Sequence, residues 1–283
     1  MAHPRQSSTG VLYALCSIFI VQIGAAASTP VFAQVGPAGT AWLRLCWAGV
    51  IFLLVARPNL AALHRRDLAA AVLLGIVSAG LTTTFFEAID RIPLATAVAI
   101  EFLGPLTVAV LRRSSRWGLV WPPLAFAGVL LVTQPWSGLT DPVGIGFALA
   151  AGACWGAYIL LTQHVGDQVS GLSGLAVSMP VAGIVAMLAA GPSELSRATW
   201  PLLGIMLALA VLNPVLPFSL EFLALRRLTA TAFGTLMSLE PAIALLAGLL
   251  VLGQVPAPAS AAGVIFVVIA GIGATRAGAR DAG

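Results

Sequence analysis

Apolar residues fill most of the chain in long runs, and the polar positions between these runs are few. A bilayer core about 30 Å thick needs about 20 apolar residues in each helix that spans it. Ten stretches fit that length, and they predict helices over 11–34, 39–56, 68–89, 93–111, 117–135, 143–163, 173–190, 201–225, 231–252 and 259–275. We therefore expect an all-α integral membrane protein with ten transmembrane helices.

The composition excludes a water-soluble protein. Hydrophobic residues make up 59% of the 283 residues and charged residues 8%, whereas a soluble domain carries about 25% charged residues. The net charge of +4 comes from arginines in short loops, without the basic face and interleaved aromatics of a nucleic-acid site. The three cysteines lie far apart within apolar runs, so they predict neither a disulfide framework nor a metal site.

The arginines predict how the chain is oriented. All 14 basic residues are arginine, which is typical of a GC-rich bacterial genome. Ten crossings place eleven of them on one side of the membrane: Arg5, Arg57, Arg65, Arg66, Arg112, Arg113, Arg116, Arg226, Arg227, Arg276 and Arg280. Only Arg91 and Arg197 fall on the other side. Because arginine concentrates in cytoplasmic loops, we expect a multi-pass inner-membrane protein with both termini in the cytoplasm.

Two halves of the chain resemble each other weakly. Residues 86–110 align with 222–246 at an offset of 136, with identities at Phe86/Phe222, Ala88/Ala224, Arg91/Arg227, Leu103/Leu239 and Pro105/Pro241. Five spans in each half is an odd number, so the halves would sit in opposite orientations. Inverted repeats of this kind are typical of secondary transporters, with the substrate site between the halves. The turn-rich segment 135–142 predicts the boundary, giving repeats over 1–138 and 139–283.

Two acidic residues lie deep within predicted spans. Glu101 is eight residues into the fourth stretch and Glu240 is nine into the ninth, which places both near the midplane. A charged side chain there costs about 2.5–3.5 kcal/mol and usually faces a cavity or a partner. Pro105 and Pro241 interrupt the same helices and free a backbone carbonyl in each. The pattern predicts a polar site for an ammonium group or a proton, although both residues could instead only bond neighbouring helices.

Further polar and helix-breaking residues extend this candidate site. Glu221, near the cytoplasmic end of the eighth stretch, either belongs to a gate or reaches the interface. Arg44 either snorkels to the interface or binds a substrate carboxylate or one of the acidic residues. The remaining candidates are Trp155 and Tyr158, which can line a route or fill the core, and the interruptions at Asn213, Pro214 and Pro217.

Other sequence features limit the possible chemistry. The chain has no phosphate-binding G-x-x-x-x-G-K-[ST] loop and no recognisable nucleophile and base. We therefore expect no enzyme activity, no cofactor and no metal, and transport driven by a gradient. Glu87 stands four residues before Arg91, which predicts an exposed ion pair on one helix face.

Several segments resemble a known family. The runs 97–106, 148–160, 217–221 and 233–241, together with Leu43-Arg44-Leu45, are similar to motifs of bacterial threonine/homoserine exporters. These exporters belong to the EamA-type branch of the drug/metabolite transporter superfamily. Glu101, Glu221 and Glu240 fall on positions where the motifs carry glutamate. Glu87 stands where the family has an apolar residue.

The resemblance implies a fold and a function. It implies ten helices in two inverted five-helix repeats, and export of small amino acids such as threonine and homoserine by proton exchange. The implied partners of the protein are an amino acid or related metabolite as substrate, protons, and the surrounding lipid bilayer. Alternatives are efflux of drugs, purines or other metabolites by the same fold, and a passive channel or structural membrane subunit.

Overall fold

The computed structural model describes residues 4–58, 64–111, 120–134, 140–168, 173–190, 197–225, 227–228 and 230–279, and regular structure in these ranges is helical. The α-helices in chain order are α1 (Pro4–Ser28), α2 (Phe32–Ala56), α3 (Arg65–Arg91), α4 (Leu94–Glu101), α5 (Leu103–Leu111), α6 (Trp121–Thr133), α7 (Pro142–Gln168), α8 (Ser173–Ala190), α9 (Trp200–Ala210), α10 (Leu216–Leu225), α11 (Ala230–Met237), α12 (Glu240–Leu252) and α13 (Pro258–Ala279). The predicted boundary at 138/139 lies outside the described residues, as do Arg112, Arg113, Arg116, Arg226 and Arg280.

The apolar helices are long enough for a multi-pass membrane protein. Six helical segments of the described chain can span a bilayer: Ser8–Ala56, Arg65–Arg91, Leu94–Leu111, Pro142–Thr162, Trp200–Glu221 and Phe233–Leu252. Shorter apolar helices cover Trp121–Thr133, Gly174–Ala190 and Pro258–Ala274. Helices suit this environment because lipid cannot satisfy backbone polar groups. The prediction of an all-α membrane protein is confirmed, and each predicted stretch overlaps one helix or a consecutive pair.

The connection between the first two predicted spans differs from a simple loop. Regular α-helix ends at Ser28, six residues before the predicted end at 34, and a 3-10 turn follows over Thr29–Val31. Pro30 in this turn has no N–H to continue the α-helical ladder. The sharp change of direction comes at Gly36, where φ is 66° and ψ is 169°. A residue with a Cβ rarely adopts that conformation.

Close backbone contacts hold the helices together. The main neighbours are α2 with α8, α3 with α7, α6 with α13, α1 with α10 and α12, and α4 with α7 and α12. Glycines permit several of these contacts. A Cβ at Gly49 would lie 2.9 Å from the Cα of Pro180, and one at Gly128 would lie 2.7 Å from the carbonyl oxygen of Gly263. Small residues are common where helices associate in a membrane, because they let backbones approach.

Candidate functional site

The helix that carries Glu101 is interrupted directly after it. α4 ends at Glu101, and α5 begins at Leu103 after the single residue Phe102. Pro105 has no N–H to donate to the Glu101 carbonyl, which removes one bond from the ladder at this point. Glu101 is 8% exposed. Its carboxylate makes no hydrogen bond or ion pair within the described part of the chain.

A matching interruption lies in the second half. α11 ends at Met237 and α12 begins at Glu240, where Pro241 occupies the first turn. The interruptions at Phe102 and Ser238 are 136 residues apart, which is the offset that aligns the two segments in sequence. Glu101 therefore ends the helix before its break, whereas Glu240 begins the helix after the other break. Glu240 is 6% exposed.

Three glutamates, Glu101, Glu221 and Glu240, lie on α4, α10 and α12, and we call them the acidic cluster. α4 packs against α12, and Glu240 lies within electrostatic range of both Glu101 and Glu221. The buried Ser17 of α1 donates a hydrogen bond of 2.9 Å to Oε1 of Glu221. The cluster contains carboxylates without a basic partner among the described residues, so it can receive an ammonium group or a proton.

Arg44 is buried in the middle of α2 and does not snorkel. It is 3% exposed. Its Nε and Nη2 donate to the Asn213 carbonyl at 3.2 and 2.7 Å, and Nη1 donates to Oγ of Ser28 at 3.0 Å. The Asn213 carbonyl is free for this contact because Pro217, four residues later, has no N–H. The guanidinium also lies 4.8 Å from the centre of the Phe86 ring.

The interruption near Asn213 is a short π-helical segment between α9 and α10. It covers Val211–Val215 and contains Pro214, and Asn213 has the non-helical angles φ −157° and ψ 116°. Pro217 follows in the first turn of α10, and its carbonyl accepts a hydrogen bond of 3.3 Å from Ser17. The irregular backbone therefore contacts α1 and Arg44, as expected for a break that protein surrounds.

Glycines bring α7 against the break beside Glu101. A Cβ at Gly152 would lie 2.8 Å from the Glu101 carbonyl oxygen, and a Cβ at Gly104 would overlap the Gly152 carbonyl oxygen. The ring of Trp155 meets Phe102 edge-on, with centroids 6.1 Å apart. This aromatic contact places Trp155 at the break. The residue packs there and is partly exposed.

The other sequence-predicted residues have separate positions. Tyr158 is partly buried, packs with Leu74 of α3 and lies within electrostatic range of Glu221. The predicted ion pair is confirmed, since Arg91 Nη1 lies 2.5 Å from Oε2 of Glu87. Among the described residues, no group of His, Cys, Asp or Glu could hold a metal ion.

A cavity lies about one and a half helical turns along α4 from Glu101 of the acidic cluster. Its volume is about 270 Å³. Its polar lining consists of Arg91, Thr96, Gln134, Thr140, Gln254 and Ser260. Gln254 accepts a hydrogen bond of 3.0 Å from the N–H of Leu94 at the start of α4. Because α4 and α12 both contribute to the lining, the cavity and the acidic cluster lie along the same pair of helices.

Sequence analysis missed three buried polar residues of α1. Ser17 and Ser28 are fully buried and Gln22 is 2% exposed. The two serines are eleven residues apart, which is three helical turns, so they share one face. That spacing is the signal that could have identified them. Gln22 is turned about 120–140° around the helix from the two serines, onto the face of Ala25 and Ala26, and its Oε1 has no hydrogen-bond partner among the described residues.

Comparisons with known proteins identify the family. Residues 142–275 match the EamA-like transporter family. The chain is 32% identical over 269 residues to the threonine/homoserine exporter RhtA of Salmonella typhimurium strain SL1344, covering 94% of this chain and 90% of the relative. It is 31% identical, with the same coverage, to the threonine/homoserine exporter RhtA of Escherichia coli K12.

One solved structure shows the same fold. A crystal structure of a protein with 19% identity covers 96% of this chain and 99% of that protein, with a TM-score of 0.59. The exporter relatives and the apolar helices indicate a multi-pass inner-membrane transporter of small molecules rather than an enzyme. The chain therefore belongs to the EamA-like transporter family, within the drug/metabolite transporter superfamily.

Proposed function

We propose that this protein exports threonine, homoserine or similar small amino acids across the inner membrane in exchange for protons. One observation carries the proposal: interrupted helices place the buried Glu240 within electrostatic range of the buried Glu101 and the partly buried Glu221. Carboxylates kept in a membrane at an energetic cost are a mark of an ion or substrate path. The two RhtA relatives carry the name of threonine/homoserine exporters, which supports this substrate class.

The proposed architecture is ten membrane crossings in two inverted five-helix repeats, 1–138 and 139–283, with both termini in the cytoplasm. The helical segment Ser8–Ala56 has 49 residues, about 70 Å at 1.5 Å per residue. That is more than twice the bilayer core, so the bend at Gly36 separates two crossings. The other five long segments and the three short apolar helices supply the remaining eight.

Helix packing supports the repeat. At the offset of 136, α4 corresponds to α11, α5 to α12, and α3 to α9 and α10 together. The order of the spans makes α1 correspond to α7, α2 to α8 and α6 to α13. If each helix is replaced by its counterpart, the contact of α1 with α10 becomes the contact of α7 with α3, which is also present. In the same way, the contact of α1 with α12 becomes the contact of α7 with α5. The α2–α8 and α6–α13 contacts exchange into themselves, as a two-fold axis requires.

Substrate and proton compete for the acidic cluster in the proposed cycle. The substrate ammonium binds at Glu101 or Glu240, and protonation of these groups on the other face releases it. Arg44 uses three of its five N–H groups within the protein, which leaves two for the substrate carboxylate. The halves rock around this site, and the cavity beside Arg91 and Gln254 is the exit.

Transport into everted membrane vesicles tests this function. We expect a pH gradient, acid inside, to drive uptake of labelled threonine and homoserine. Glu101→Gln and Glu240→Gln keep the side-chain shape but cannot titrate, so we expect gradient-driven uptake to fall by about tenfold or more. Asp67→Asn in the first turn of α3 is the control, because Asp67 lies outside both the acidic cluster and the cavity.

Each other outcome points to a different function. Full gradient-driven uptake in both Glu101→Gln and Glu240→Gln contradicts the proton role. Flux that ignores the gradient indicates a channel, and absence of flux for any solute indicates a structural subunit. Uptake of unrelated cations or purines, without threonine or homoserine, assigns the protein to efflux of other metabolites.

A further inference from the structure

Gln22 is a buried polar residue of α1 whose side-chain oxygen has no hydrogen-bond partner in the described part of the chain. Ser17 bonds Glu221, and Ser28 bonds Arg44, so both buried serines of this helix have partners. Gln22 is 2% exposed, yet its Oε1 has no partner among the described residues. Buried polar atoms are nearly always hydrogen-bonded, so an unpartnered amide oxygen at mid-membrane depth suggests that a ligand supplies the bond.

The packing of α1 places Gln22 beside the acidic cluster. Ala25 and Ala26 of α1 share a core cluster with Ala244 and Ala247 of α12. Gln22 lies one turn before Ala26, and Glu240 lies one turn before Ala244. These two steps go in the same direction if α1 and α12 run parallel.

The ends of the two helices show that they do. Phe32, which begins α2 one short turn after the end of α1, packs against Phe86 near the end of α3, with ring centroids 5.4 Å apart. Gln254, just after α12, bonds the N–H of Leu94, which immediately follows α3. Both helices therefore end at the α3–α4 connection. Gln22 and Glu240 then lie at the same level of the bundle, to within about one turn.

The chemistry of the surroundings assigns a partner to this amide. The acidic cluster carries negative charge and suits the substrate ammonium, and Arg44 carries positive charge and suits the carboxylate. Gln22 is neutral and offers both an acceptor and donors, which complements a hydroxyl group. It lies six residues before Ser28, the residue that contacts Arg44, which is about 9 Å along the helix axis and about 120° around it.

We infer that Gln22 is a specificity-determining residue that binds the side-chain hydroxyl of the substrate. This inference rests on the proposed function and names the group that separates threonine from its isostere valine. A site that hydrogen-bonds a hydroxyl discriminates strongly against an analogue without one, because the buried polar atom is then left unpaired.

Competition between threonine and valine in everted vesicles tests the inference. We expect the wild type to prefer threonine, and Gln22→Met, which keeps the length but removes the amide, to lower the threonine-to-valine ratio of initial uptake rates by about tenfold or more. Gln34→Met is the matched control, since Gln34 is exposed on α2, and we expect its ratio to equal that of the wild type.

The outcomes separate this inference from the proposed function. If the wild type takes up neither threonine nor homoserine, the proposed function is wrong. If the wild type transports threonine and Gln22→Met keeps the wild-type ratio, the role of Gln22 is wrong. Should Gln22→Met fail to fold, Gln22→Asn replaces it, because asparagine retains the amide but has a shorter side chain. A fall in the threonine-to-valine ratio of uptake rates then supports the role of Gln22, and an unchanged ratio contradicts it. Thermal stabilisation of purified protein by threonine over valine gives a second readout of each variant.

Discussion

Two serines of α1 connect the first helix to the charged side chains of the site. Ser28 accepts a hydrogen bond from Arg44 and donates one of 2.6 Å to the Gly24 carbonyl. Ser17 bonds the Glu221 carboxylate at 2.9 Å while fully buried. Because Glu221 and Arg44 reach α1 from opposite ends of its polar face, these bonds orient the acidic cluster and the guanidinium relative to each other.

Removing the Ser17 hydroxyl should destabilise the protein. Ser17→Ala leaves a part-buried carboxylate without its donor, so we expect the free energy of unfolding to fall by about 1–3 kcal/mol. Thermal unfolding in detergent measures the change. Ser219→Ala is the control, because the exposed Ser219 bonds only the Val215 carbonyl within its own helical turn. Equal stability of the two variants would contradict a structural role for the Ser17–Glu221 bond.

The contact between α7 and the α4–α5 break depends on absent side chains. Gly104 and Gly152 let the backbones of α5 and α7 meet where the helix ladder is interrupted. Freed carbonyls at such a break must be covered by protein or water, and α7 supplies this cover beside Glu101. The packing of α7 against this break therefore helps to determine where the Glu101 carboxylate lies.

Adding one methyl group to α7 should disturb this contact. In Gly152→Ala the new Cβ would lie 2.8 Å from the Glu101 carbonyl oxygen, so α7 must shift, at a cost of about 1–3 kcal/mol. We expect a lower unfolding temperature and slower threonine uptake. Gly146→Ala is the control on the same helix, because nothing lies within 4 Å of its Cβ position and alanine favours helix. Unfolding of both variants at the same temperature would refute this account.

At the scale of the whole molecule, most of the large helix contacts join the two proposed repeats. α3 packs on α7 and α2 packs on α8, so each half is held mainly by the other. Alternating access requires these contacts to change as the halves rock. A covalent bond across them should therefore stop the cycle without unfolding either half.

A cysteine at Gly80 tests this requirement. Its Cβ would lie 3.2 Å from the Sγ of the native Cys154 on α7, close to the about 3 Å that disulfide bond lengths imply. We expect oxidised Gly80→Cys to lose threonine transport and dithiothreitol to restore it. The same substitution in a Cys154→Ser background is the control and should not respond to oxidation. Full transport by the cross-linked protein would show that α3 and α7 move together.

Several features of the fold and the site followed from the sequence. Run length predicted the apolar helices, and proline chemistry predicted interruptions near Glu101 and Glu240, because both depend on neighbouring residues alone. The i,i+4 spacing predicted the Glu87–Arg91 pair for the same reason. The helix end at Ser28 was placed too late, because the apolar run continues through the 3-10 turn and composition does not register it.

The sequence by itself determined the membrane environment and the helical segments, since hydrophobicity and chain breaks act locally. Only the tertiary structure decided which faces meet: that Glu240 lies within electrostatic range of Glu101 and Glu221, that Arg44 binds the Asn213 carbonyl, and that Gln22 is buried. The physical reason is that a membrane helix is apolar all round, so its pattern does not mark the buried face as it does in a soluble protein. Packing of small residues makes that choice, and it depends on helices far apart in the chain.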